Sequence, residues 1–73
     1  MENIVKISAH NALKGEIVKL VMGPVSTEVT LEIAKGVKVV SSITSTSAKR
    51  LGLKKGRSVY AVIKASSVMI ATE

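Results

Sequence analysis

Ser26–Ala34 reads STEVTLEIA, with Val29, Leu31 and Ile33 alternating with Glu28, Thr30 and Glu32. That period of two is the mark of a strand with one face in a core and the other in water. Upstream, Lys14–Met22 (KGEIVKLVM) reads as a second strand ending at Gly23-Pro24, a turn pair whose proline cannot donate to a ladder. The two predict a hairpin. Downstream, Lys35-Gly36 marks another turn, and Val37–Thr44 (VKVVSSIT) a third strand. Val, Ile and Thr make up 23 of the 73 residues, and β-branched side chains suit a pleated sheet better than a helix. The class is mainly β.

The character then changes. Ser45–Leu51 (STSAKRL) has hydroxyl residues able to cap a helix, basic residues in its last turn, and Gly52 where a left-handed cap is wanted. One short helix is predicted. After a turn at Lys54-Lys55-Gly56, Arg57–Ala65 (RSVYAVIKA) and Ser67–Ala71 (SVMIA) read as one long or two consecutive strands, apolar enough to be buried on both sides. With an N-terminal strand around Ile4–Ile7, this order suits a small five-stranded barrel of the oligonucleotide/oligosaccharide-binding type. There is no repeat, linker or low-complexity tract, so residues 1–73 are expected to form one domain.

A domain of this size buries only about 60% of its unfolded surface, and the chain lacks cysteine and any Cys/His set for a structural metal. Association is the remaining support. The chain is 47% apolar, yet its only aromatic residue is Tyr60, so apolar side chains are expected to face another subunit. No apolar run is long enough for a membrane span, and residues 1–7 lack the features of a signal peptide, which predicts a cytoplasmic protein. The formal charge of +6 favours anionic partners: phosphate, nucleic acid or an inorganic oxyanion. It equally suits lysines that keep an apolar oligomer soluble.

Catalytic groups are scarce. There is no Asp, and Glu28 and Glu32 are most simply the wet face of their strand. Ser8 and His10 lie two apart, but no carboxylate stands nearby in sequence to orient the imidazole. The glycines are scattered at turns and form no phosphate loop. An enzyme is not expected. Binding of single-stranded nucleic acid is the alternative for a basic barrel, but it needs aromatic platforms, and Tyr60, among Val59, Ala61 and Val62, reads as a core residue.

What remains is three runs of short donors: Ser8, His10 and Asn11; Ser41, Ser42 and Thr44; and Lys64, Ser66 and Ser67. Hydroxyls, amides and an ammonium can surround a tetrahedral dianion, which is repelled by carboxylates. No Asp or Glu falls inside any of the three.

Ser8–Gly15 (SAHNALKG), Glu28–Ile33 (EVTLEI), Ser42–Thr44 (SIT), Leu51–Gly56 (LGLKKG) and Tyr60–Ile70 (YAVIKASSVMI) together resemble the molbindin, or Mop, family, from about Lys6 to Ala71. The resemblance implies non-catalytic binding of molybdate, or the similar dianion tungstate, for intracellular storage. It also implies the barrel, a strand exchanged between paired subunits, a homohexamer built as a trimer of dimers, and anion sites between subunits. The family's Ser-Ala-Arg-Asn segment falls on Ser8, Ala9, His10 and Asn11, its Ile-Thr step on Ile43 and Thr44, and its last segment on Ile63, Lys64, Ala65 and Ser66. The implied ligand set is Ser8, His10, Thr44, Lys64, Ala65 through its backbone N–H, and Ser66. His10 departs from the pattern, an imidazole standing where relatives carry arginine.

Overall fold

The computed structural model describes residues 11–73. Four antiparallel strands, β1 (Asn11–Met22), β2 (Ser26–Ala34), β3 (Val37–Thr44) and β4 (Ser58–Ile63), form one sheet in the order β3-β2-β1-β4. A six-residue helix, α1 (Ser45–Arg50), follows β3, and a 3-10 turn (Ala65–Ser67) follows β4. The expected strand around Ile4–Ile7 lies outside the described residues, within which the sheet has four strands and not five.

The alternation in β2 holds for its apolar face, where Val29 and Leu31 are buried and with Ile17 form the core; it fails on the face expected to be wet, where Glu28 is exposed but Thr30 is buried. Leu20, Ile33, Ile43, Leu53, Val59 and Ala61 pack around them. β1 changes partners midway, pairing with β4 over Asn11–Glu16 and with β2 over Glu16–Met22. A register shift between Ile17 and Lys19 marks the change, and an extra residue of that kind bends and twists a strand. The sheet therefore curls, bringing β3 and β4 to face each other across a groove of about 570 Å³ lined by Val39, Ile43, Leu51, Leu53, Val59 and Ala61 among others. At Gly15 β1 passes close to β2, where a Cβ would stand 3.0 Å from the Glu32 carbonyl oxygen and from Ile33 Cγ2.

Two expectations at the C-terminal end fail. β4 is a single strand of alternating exposure, with Val59, Ala61 and Ile63 turned inward and Ser58, Tyr60 and Val62 outward. Tyr60 is 44% exposed, so it is not a core residue. Its apolar neighbour Val62 made an alternating strand look continuous. Ser67–Ala71 is not a strand: Ser67 closes the 3-10 turn, and Val68, Met69 and Ile70 run on exposed, the last two at 92% and 87%.

The helix ends as its sequence suggested. Gly52 has φ +66°, its N–H donates to the Lys49 carbonyl at 3.0 Å, and Leu53 N–H reaches the Ala48 carbonyl at 3.1 Å. That is the paired closure of a left-handed cap. Arg57 adds a guanidinium that donates to the Leu51 and Gly52 carbonyls, so the segment from α1 to β4 is anchored to the helix end.

Candidate functional site

Thr44 ends β3 and begins α1 at once. With φ −69° and ψ 146° it is the helix N-cap, its Oγ1 accepting from Ser47 N–H at 3.1 Å and donating to Ser47 Oγ at 2.8 Å. Serine and threonine suit this place because their oxygen satisfies an amide that the helix leaves free. The chemistry follows from proton counting. A threonine hydroxyl has one proton and two lone pairs. That proton is engaged by Ser47 Oγ, so Thr44 donates to a ligand when its hydroxyl turns away from Ser47 while the oxygen keeps the Ser47 N–H. Thr44 is exposed to such a ligand.

Behind it stands a buried hydroxyl pair that sequence reasoning did not single out. Ser45 Oγ donates to the Gly23 carbonyl at 2.6 Å and meets Thr27 Oγ1 at 2.7 Å, while Ser45 N–H reaches the Val25 carbonyl at 2.8 Å. Thr27 is fully buried and Ser45 nearly so. These bonds fasten the helix start to the β1–β2 turn and fix where Thr44 sits. Hydroxyl residues are ordinary at helix starts, so only the fold distinguishes the buried Ser45 from exposed Thr46.

The second donor run occupies the end of β4. Lys64 leads into the 3-10 turn in extended conformation, and its carbonyl accepts Ser67 N–H at 2.9 Å. Lys64, Ala65, Ser66 and Ser67 are all exposed. Asn11, the residue after His10, is paired with Ile63, the residue before Lys64, and its Nδ2 donates to the Ile63 carbonyl at 3.4 Å. Ser8 and His10 lie outside the described residues.

Register places the two described runs apart. Ser26 pairs with Thr44, and Thr27 with Met22, so Thr44 stands at the Met22 end of β1. Lys64 stands beyond Ile63, at the Asn11 end. One protomer does not bring Thr44 to Lys64. Among the described residues no three His, Cys, Asp or Glu side chains come together, and no helix is long and apolar enough to cross a membrane.

The model of the TOBE domain matches residues 7–70. Molybdenum-pterin-binding protein 1 of Clostridium pasteurianum is 50% identical over 64 residues, covering 88% of this chain and 94% of the relative. Among solved structures, MopII of Clostridium pasteurianum in an apo form superposes with a TM-score of 0.86 at 48% identity, over 92% of this chain and all of that one. ModG, described as a cytoplasmic molybdate-binding protein and solved with molybdate bound, superposes with a TM-score of 0.83 at 42% identity. That match covers 89% of this chain and 46% of ModG.

Proposed function

The chain belongs to the TOBE domain family, alongside the Mop proteins, and from that premise we propose that it binds molybdate, or tungstate of the same shape and charge, without turning it over. The observation that carries this reading is the pair of exposed, carboxylate-free donor runs at opposite ends of β1. Neither can enclose a tetrahedral dianion alone. Thr44 of one copy set against Lys64, Ala65 and Ser66 of another can, with Ser8 and His10 completing the shell. Lys64 supplies the permanent positive charge, Ala65 its backbone N–H, and Thr44 and Ser66 their hydroxyls.

Assembly is part of the same proposal. The core is small, while Val25, Val40, Met69 and Ile70 are exposed, as befits a protomer completed by neighbours. The groove between β3 and β4 is mostly apolar, and the Ile4–Ile7 segment of a second copy is its proposed occupant. Strand exchange of this kind pairs two chains, and three pairs make a hexamer with sites between subunits. Residues 1–73 then act as a single domain, a passive store of oxyanion in the cytoplasm.

The test is a molybdenum assay on protein purified from molybdate-fed cells, joined to native mass and titration with molybdate and with a single-stranded oligonucleotide. Stoichiometric molybdenum on an oligomer is expected. A monomer, or a chain that retains oligonucleotide at physiological salt but not molybdate, overturns the reading.

A further inference from the structure

Charge is divided unevenly along the chain. Residues 1–32 hold three lysines and four glutamates, whereas residues 33–72 hold eight lysines and arginines and no carboxylate. Five of those eight, Lys49, Arg50, Lys54, Lys55 and Arg57, fall within nine residues, and all five are exposed.

The cluster is held in place. Arg57 is tied to the helix end through the Leu51 and Gly52 carbonyls, Leu53 N–H is bonded to Ala48, and Gly56 N–H to the Ile17 carbonyl at 2.8 Å. Ala48 is four residues along α1 from Thr44, about 6 Å at the helical rise. Lys49 and Arg50, in the last turn of α1, therefore stand on the order of 10 Å from Thr44, close to one Debye length at physiological salt. They are too far away to contact an anion bound at Thr44 and near enough to attract it.

We propose that the basic segment Lys49–Arg57 is a capture surface that draws the oxyanion toward the Thr44 end and speeds its association without holding it. This rests on the oxyanion reading above and adds a kinetic role for residues outside the site. A cluster of one sign raises the local concentration of a counter-ion and its on-rate, with a steep dependence on ionic strength. For a dianion on the order of 10 Å away in water, removing two cations should slow association roughly five- to tenfold at 10 mM salt and about twofold at 150 mM.

The experiment measures association and dissociation of labelled molybdate by rapid filtration, at both salt concentrations, on the assembled protein. Lys49→Gln/Arg50→Gln should lower the association rate by those factors and leave dissociation unchanged. Lys49→Glu/Arg50→Glu should double the effect on a logarithmic scale, and Lys49→Arg/Arg50→Lys should keep the wild-type rate. An unchanged association rate in the Lys49→Gln/Arg50→Gln pair, a loss that does not shrink between about 10 mM and about 150 mM salt, or a loss confined to dissociation overturns the capture role. Wild-type protein that takes up no molybdate removes the oxyanion reading itself, and capture with it.

Discussion

Thr44 is assigned two tasks, capping α1 and donating to the anion, and substitution can separate them. Aspartate is at least as good an N-cap as threonine, so Thr44→Asp should fold and melt like wild type, its carboxylate taking over the Ser47 N–H now held at 3.1 Å. For the anion it is the wrong sign. A dianion about 4 Å from a carboxylate is repelled by about 2 kcal/mol at the dielectric of bulk water and about 8 kcal/mol at that of a typical surface pair. The lower figure is already about thirtyfold in affinity. Thr44→Ala should fail at both tasks, losing about 1 kcal/mol of stability with the cap and about 1.5–3 kcal/mol of binding with a hydrogen bond to charge. Thr44→Ser should keep both. Calorimetric melting and molybdate titration of the three variants form the assay. A Thr44→Asp protein that binds molybdate like wild type would remove Thr44 from the site, and one that melts as low as Thr44→Ala would refute the cap.

Lys64→Ala should lower molybdate affinity roughly tenfold to a hundredfold by removing a charged donor, while Lys35→Ala, on the exposed β2–β3 turn, should not; equal losses in titration would mean a diffuse charge effect. Ser45→Ala leaves the Gly23 carbonyl without its side-chain donor and the Thr27 hydroxyl with only Met22 Sδ, at about 1–3 kcal/mol for the stranded carbonyl. Denaturant unfolding should show that loss, and adding Thr27→Val should cost less than the sum of the single changes. If His10 stands where relatives carry arginine, a bound dianion favours its imidazolium form and raises its pKa above the unperturbed value of about 6.5. Affinity is then highest at mildly acid pH, falls as pH rises through the bound-state pKa, and levels off once the ring is neutral in both states. Titration from pH 6 to 8.5 should show that slope and lose it in His10→Arg; a flat wild-type profile takes His10 out of the site.

How far the fold was legible depended on whether a residue's neighbours lay in the same chain segment. β2 could be read directly because Val29 and Leu31 face the core and Glu28 faces water, a contrast visible in the letters. The helix was legible through Gly52 after it and the hydroxyl residues of Ser45–Leu51, although its cap is Thr44, the residue before them, which reads only as strand. β1 begins at Asn11 and not at Lys14 because β4 supplies partners for its first residues, a long-range fact that no local pattern carries. The C-terminal run failed for a related reason: Val68 and Ile70 favour strands, but strand propensity needs an adjacent strand, and none lies beside them among the described residues. For the site, the donor types were visible and their carboxylate-free surroundings could be counted. That Thr44 and Lys64 stand at opposite ends of β1 could not, since the register of four strands sets it. Ser45 was hidden among its hydroxyl neighbours, with burial alone setting it apart.

Opposite placement of Thr44 and Lys64 gives each chain a head and a tail. In any closed arrangement, whether a two-fold pair or a ring, every head meets one tail, so sites of this composition number one per chain at saturation. An open row would instead leave one head and one tail vacant, and it could grow without limit. Closure thus fixes stoichiometry as well as size. If each site exists only where two chains meet, as proposed, the anion and the protein concentration enter the same equilibrium: oxyanion would tighten the assembly, and dilution of the assembly would shed oxyanion. A store built this way empties when its own subunits become scarce, with no gate required.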